Sequence, residues 1–243
     1  MKEEDYRISH LKKGDSYHNE FLKNPYRSTI WELEQETLNI FLEKYFKNTL
    51  IPRYLDFACG TGRVLQYFED KTISAMGVDV SDNMLKIARQ NCSKAKLIVA
   101  DITRTDVFLN DKFDLVTAFR FFPNAQESLR KEAAKVLSQH INNKGYLVFN
   151  NHMNAHSLFY RMVKFANRKN HKLGMSEDEI KEFLKDTDLK IIHKYHIGLL
   201  PIYDKKPILK KKYIKWIEKK FMKLPFNFIG DLSQNIIYVC QKE

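Results

Sequence analysis

The most constraining stretch of the chain is Leu55-Asp56-Phe57-Ala58-Cys59-Gly60-Thr61-Gly62-Arg63-Val64-Leu65. The short apolar run Tyr54–Phe57 has the length and content of a buried parallel strand. Small residues and glycines end it, and an amphipathic run follows from about Arg63 through Phe68. Gly60 and Gly62 permit positive φ and close backbone approach, so a ligand can lie against the main chain where strand becomes helix. In open α/β sheets, ligands bind in the crevice beyond the carboxyl ends of the strands. A second strand, Ala75–Val78, ends at Asp79, about 20 residues past the glycines, the separation at which an acid reaches a ribose hydroxyl. Strand, glycine turn, helix, strand and terminal acid, in that order, form a nucleotide-binding signal.

The alternation continues downstream. Ser81 is placed to cap a helix that buries Met84, Leu85, Ile87 and Ala88. Strands are expected at Leu97–Ala100, Asp114–Phe119 and Tyr146–Asn150. Before the last of these, Asn124 is placed to cap a helix with Leu129, Ala133, Val136, Leu137 and Ile141 on one face, and residues 142–145 read as a stop and turn. Such spacing predicts a parallel, doubly wound sheet. Upstream, Pro25 is expected to break any helix, and Thr29 to open one that runs to about Lys47 on Trp31, Leu33, Leu38, Phe41, Leu42, Tyr45 and Phe46.

Past residue 150 the pattern changes. A helix is expected over Asn151–Arg168, and Ser176 with Glu179 forms a capping box for a helix through Leu184. Strands follow at Lys190–Ile197 and Asn235–Cys240. Neither a repeat nor a low-complexity linker divides the chain, so the pattern predicts a single domain: residues 1–50 as a helical cap, 51–243 as the main body, and an insertion at about 204–231. In that insertion Lys205 through Lys223 interleave with Tyr213, Ile214, Trp216, Ile217 and Phe221. A basic amphipathic helix of this kind suits a packed surface helix with solvated lysines, an anionic membrane interface or an anionic ligand.

Several separate stretches together resemble the class I S-adenosylmethionine (SAM)-dependent methyltransferases. The family's first motif falls on Asp56, Ala58, Gly60 and Gly62, with Ala58 where the family often has glycine. Its second-strand acid falls on Asp79, followed by Val80-Ser81-Asp82-Asn83-Met84-Leu85. Its adenine-side motif falls on Ala100-Asp101-Ile102, its fourth strand on Phe113–Phe119, and its fifth follows Lys144-Gly145. The resemblance covers roughly residues 50–150. It implies a Rossmann-like α/β fold with a seven-stranded sheet, helices on both faces, a final antiparallel pair of strands and a helical N-terminal cap. SAM is the implied cofactor and S-adenosylhomocysteine (SAH) the product. The implied cofactor contacts are Asp79 to the ribose, Val80 and Met84 to the adenine face, and Asp101 with the Ile102 amide to the adenine edge. Ala58, Cys59, Gly60 and Gly62 would back the methionine moiety. Asp56 would hold the turn or the amino group, and Phe119 would lie near the sulfonium. The leading segment would cover the site, with Tyr17 and Tyr26 able to reach the methionine end.

Methyl transfer is a displacement at an activated methyl, so much of the catalysis is positioning, and a hydroxyl acceptor adds the need for a base. After the fifth strand His152 is the first candidate base and His156 the second, while Arg120 is a candidate anchor for an anionic substrate. The pair of stretches Phe119-Arg120-Phe121-Phe122 and Asn150-Asn151-His152-Met153-Asn154 resembles a subgroup associated with glycan O-methylation.

Composition narrows the classes. No apolar run approaches the ~20 residues of a membrane span, and Met1-Lys2-Glu3-Glu4-Asp5 lacks the apolar core of a signal peptide. A cytoplasmic location is therefore expected. Cys59, Cys92 and Cys240 are too scattered for a disulfide framework or a zinc site, and no metal is expected. A net charge of +11 points to anionic partners or to solubility alone. There is no Pro-Pro-aromatic run after strand 4, as in amino-methylating DNA enzymes, and no RNA-binding module. Three readings stay open: methyl transfer to a small-molecule or sugar-containing acceptor, an RNA or protein methyltransferase using the basic surface, and a non-catalytic SAM-binding protein.

Overall fold

A computed structural model describes residues 6, 25–158, 160–162, 174–200, 211–222 and 230–243. In chain order the elements are α1 (Pro25–Phe46), β1 (Ile51–Phe57), α2 (Arg63–Glu69), β2 (Thr72–Asp79), α3 (Asp82–Asn91), β3 (Lys96–Val99), β4 (Phe113–Ala118), α4 (Glu127–Gln139), β5 (Ile141–Asn151), α5 (Glu177–Leu184), β6 (Leu189–Ile197), α6 (Lys211–Met222) and β7 (Asn235–Lys242). Among the described residues these strands form one seven-stranded sheet in the order β3-β2-β1-β4-β5-β7-β6. The first five run parallel, and β7 lies antiparallel to both β5 and β6. The order reverses between β1 and β4, which opens a crevice at their carboxyl ends. Register aligns those ends: Asp56 pairs with Gly77 on one side and Thr117 on the other.

Both faces of the sheet are covered, so its central strands are apolar on alternate residues in both directions. Leu55, Val116, Leu147 and Phe149 pack with Leu129, Ala133, Ile180 and Phe183 of α4 and α5. Tyr54, Leu115, Val148 and Ile237 pack on the other face with Leu33, Leu38, Phe41, Leu65 and Phe68 of α1 and α2. The Ser81 cap accepts the Met84 amide, and α3 buries Met84, Leu85, Ile87 and Ala88. Ser176 and Glu179 form the reciprocal capping box on α5.

Four expectations are corrected. α1 starts at Pro25, and Thr29 is buried within it; proline suits a first turn, where its missing N–H is not needed. α4 starts at Glu127, while the Asn124 amide donates to the Arg120 carbonyl at 2.6 Å and caps nothing. Ile141 opens β5, and residues 142–145 are a bulge inside that strand, between the pairs Phe113↔Ile141 and Leu115↔Tyr146. Asn151 still belongs to β5 and Asn154 bridges Met175; helix is present only at 158 and 160–162, and residues 163–168 lie outside the described residues. Here Asn151 and Asn154 donate to the backbone carbonyls of Met175, Asp231 and Ser233, the competition with helix that asparagine favours. Within the insertion, 204–210 and 223–229 also lie outside the described residues.

Candidate cofactor and acceptor site

The turn after β1 is built from left-handed backbone: φ is 53° at Ala58, 55° at Gly60 and 80° at Gly62. The two glycines do different work. A Cβ on Gly60 would meet no atom of the described residues within 4 Å, so among them that backbone faces open space. A Cβ on Gly62 would lie 2.8 Å from Cys92 Sγ and 3.1 Å from Ala88 Cβ, so Gly62 lets α2 start against α3. Cys59 is buried beneath this turn, and burial pushes its thiol well above the usual range, which leaves it protonated and no nucleophile.

Three acids stand at or near the strand ends: Asp56 in β1, Asp79 closing β2 and Asp101 just past β3. Asp79 Oδ2 accepts from the Gly60 amide at 2.8 Å and Oδ1 from the Ser81 amide at 2.9 Å. Burial raises its pKa while these amide bonds oppose the rise. Asp56 is fully enclosed. Its Oδ1 accepts from Thr117 Oγ1 at 2.6 Å, and the Tyr54 hydroxyl, 2.7 Å away, therefore donates to Thr117. Asp56 Oδ2 is buried and has no hydrogen-bond partner among the described residues. Burial, with a smaller push from Asp79, raises the Asp56 carboxyl to about 7, against the Thr117 bond, the Arg63 charge and the Leu65 backbone amide. Asp101 Oδ1 accepts from the Thr103 amide and hydroxyl at 3.0 and 2.6 Å.

These groups surround an open cleft of about 980 Å³. Of the sequence candidates, Asp56, Ala58, Cys59, Gly60, Asp79, Val80, Met84, Asp101, Phe119 and Arg120 line it. Gly62 stands behind it, and Ile102 is buried in the apolar core. His152 is off the cleft wall, half-buried, with Nδ1 enclosed and without a partner among the described residues. His156 is exposed and away from the wall. Tyr17 lies outside the described residues, as does the side chain of Tyr26. Instead Tyr6 reaches the cleft, its ring edge-on to Phe121 at 5.7 Å and its hydroxyl donating to the Arg120 carbonyl at 3.4 Å.

Sequence reasoning also missed a buried polar hub. Glu34 Oε1 accepts from Asn150 Nδ2 and Asn235 Nδ2, each at 2.9 Å, and Oε2 accepts from Arg63 at 3.1 Å. Asn150 Oδ1 in turn accepts the Arg120 amide at 2.7 Å. Arg63 lies over the Trp31 ring at 4.0 Å and lines the cleft. The readable signal was Glu34 itself, an acid among the apolar positions of α1.

Residues 55–145, which carry the glycine turn, Asp79, Asp101 and β4, match the family model described as a methyltransferase domain. The chain therefore carries a methyltransferase domain over these residues. Among solved structures, this chain is similar to magnesium protoporphyrin IX methyltransferase from Synechocystis with bound SAH, at 12% identity and a TM-score of 0.63, covering 97% of this chain and 98% of the other. It is also similar to the N-methyltransferase NodS from Bradyrhizobium japonicum with SAH, at 13% identity and a TM-score of 0.60, covering 97% and 95%. A SAM-dependent methyltransferase from Clostridium acetobutylicum aligns at 19% identity and a TM-score of 0.54, covering 84% and 89%. At such identities these likenesses speak for the fold. No curated protein sequence matches the chain. The cleft fits SAM on two observations: the unpartnered Asp56 oxygen suits a cationic amino group, and the open face of Gly60 leaves room for a ligand against the backbone.

Proposed function

We propose that the methyltransferase acts on a hydroxyl of a small or sugar-containing acceptor. The observation that carries this reading is the cleft. It is one concave site that joins the glycine turn, Asp79 and Asp101 to Phe119, Arg120 and Tyr6, the setting in which small-molecule ligands are held. Asp79 is assigned to the ribose hydroxyls, Val80 and Met84 to the adenine face, and Asp101 with the Ile102 amide to the adenine edge. Ala58, Cys59 and Gly60 would back the methionine moiety, Asp56 would take its amino group, and Phe119 would lie beside the sulfonium. Gly62 serves by packing, and His156 is assigned no contact.

Bound SAM supplies a methyl group activated for in-line displacement, so the chain's main task is alignment. His152 remains the base candidate for a hydroxyl proton. Burial, with the charges of Arg120, Arg63 and Arg27, pushes its pKa well down, so the ring is neutral and able to accept. Residues 1–50 are read as a cap on the same domain as 51–243. The three cysteines are free, buried thiols, in keeping with a cytoplasmic setting.

A second surface supports contact with an anionic membrane, where a lipid-linked acceptor would be found. Among the described residues no helix is long and apolar enough to cross a membrane. On α6, however, Tyr213 and Trp216 are 49% and 62% exposed, with Lys212 and Lys220 over their rings, while Ile214 and Glu218 are buried.

Calorimetric titration with SAM and SAH tests the cofactor assignment: micromolar binding is expected, and Asp79→Ala should abolish it. A screen with methyl-labelled SAM, begun with glycans and small hydroxyl compounds, tests the acceptor. Label incorporated only into RNA or protein would overturn the reading.

A further inference from the structure

Charge along the cleft is sorted by strand. Asp101 follows β3, Asp79 ends β2 and Asp56 lies in β1, whereas Arg120 follows β4 and His152 follows β5. The acids thus stand at the β3-β2-β1 end with Arg63 beside them at the start of α2, while Arg120 and the neutral His152 stand at the β4-β5 end.

Arg120 is held on the cleft wall by strain that its neighbours maintain. Its φ of 62° is left-handed, a conformation that is strained for any residue with a side chain. Asn150 Oδ1 accepts its N–H at 2.7 Å, and Asn124 Nδ2 and the Tyr6 hydroxyl donate to its carbonyl at 2.6 and 3.4 Å. Backbone strain kept up in this way gathers at functional positions. Arg63 stands on the same wall, bound to Glu34, and the charge of Arg27, from the first turn of α1, reaches His152 together with those of Arg63 and Arg120. Arg63 is offset by Glu34, so Arg120 is the guanidinium on this wall best placed to meet an anion, with Arg63 adjacent.

We propose that the methyl acceptor is itself an anion, whose carboxylate or phosphate group docks on Arg120 in a field reinforced by Arg27, with Arg63 adjacent. The proposal rests on the reading of the cleft as a SAM and acceptor site, and it names the class of that acceptor. It also gives His152 a purpose. Burial is the main cause of the low His152 pKa; a bound anion offsets only the added push of the three arginines, and so raises the imidazole's proton affinity.

The test uses the full chain saturated with SAH, titrated with inorganic phosphate and, separately, acetate at constant ionic strength. Binding is read by calorimetry and by the His152 ring resonances. The expected result is saturable binding of one or both anions, weakened about tenfold, the equivalent of ~1.4 kcal/mol, in Arg120→Gln and less in Arg27→Gln, with SAH affinity unchanged in both variants. Which anion binds more tightly decides between a carboxylate and a phosphate acceptor. Competition between the anions and SAH, or a tenfold loss of SAH affinity in Arg120→Gln, would assign the arginine to the cofactor's own carboxylate and overturn the proposal. Silence of both anions while SAH still binds overturns it alone, whereas a wild-type protein that fails to bind SAH overturns the cofactor reading as well.

Discussion

Ala58 occupies left-handed backbone, with φ at 53°, at a place where the related motif often has glycine. An alanine there pays roughly 1–2 kcal/mol that a glycine would not, while glycine loses about 0.4–1 kcal/mol through the freedom it adds to the unfolded chain. Ala58→Gly is therefore expected to stabilise the protein by about 0.5–1 kcal/mol, a rise of about 1–3 °C in a thermal melt; a fall in Tm would show that the Ala58 methyl contributes more by packing. The glycines separate fold from ligand. Gly62→Ala meets Cys92 Sγ and Ala88 Cβ and should cost about 2–4 kcal/mol in urea unfolding. Gly60→Ala meets no atom of the described residues, so its cost should be only the ~1–2 kcal/mol of its φ, yet it should weaken SAH binding about tenfold because its methyl enters the cleft. Equal effects of the two variants on stability and on binding would refute this division. At this scale the sequence announced the residues whose role depends on backbone, the glycine turn and Asp79. It did not announce Tyr6, Arg63 or Thr103, whose places on the cleft depend on how distant segments pack.

Among the elements, α6 carries the least expected arrangement. Its inward face is anchored by an acid: Glu218 is buried and accepts the amides of Gly198, Leu199 and Leu200 at 2.9, 3.1 and 2.9 Å. Lys215 and Lys219 pair with Glu32 and Glu36 of α1. Those contacts turn Tyr213, Trp216 and Lys220 outward, so the helix can meet a surface without releasing its packing. A basic residue near an anionic bilayer contributes about 1 kcal/mol, so Lys220→Ala should weaken binding to phosphatidylserine vesicles about fivefold at low salt, with a smaller sensitivity to salt than the wild type. Trp216→Ala should weaken it further. Equal co-sedimentation with neutral vesicles would remove the electrostatic argument. Periodicity announced a basic amphipathic helix here but not which side would be buried, because a glutamate that serves as an anchor for three amides looks like a solvated charge in sequence. The same blindness explains α1 and β5: a proline can open a helix as well as break one, and an Asn-Asn-Lys-Gly run can bulge within a strand as well as end a segment.

In the whole molecule, the pH response converges on one carboxyl. Asp56 sits at the centre of the sheet, between β2 and β4, with its pKa raised from 3.8 to about 7 by burial. The sign follows from proton counting. Between about pH 4 and 7 the folded protein holds a proton at Asp56 that the unfolded chain has released, so this group's contribution to stability is complete below pH 4 and is lost as pH rises through 7. Asp56→Asn removes that loss, and its stability relative to wild type should therefore grow from acidic to mildly alkaline pH. Cofactor binding carries the opposite dependence. A cationic amino group placed at the unpartnered Asp56 Oδ2 favours the carboxylate, so a complex formed one unit below the pKa must first expel a proton. SAH affinity should accordingly rise up to about tenfold between about pH 6 and 7.5 in the wild type. Over the same range it should stay flat and weaker in Asp56→Asn. At the acidic end, the calorimetric heat should change with the ionisation enthalpy of the buffer, since the released proton is taken up there. An affinity independent of pH, with heats the same in every buffer, would mean that Asp56 is already ionised before the ligand arrives and that its buried oxygen serves the turn rather than the cofactor.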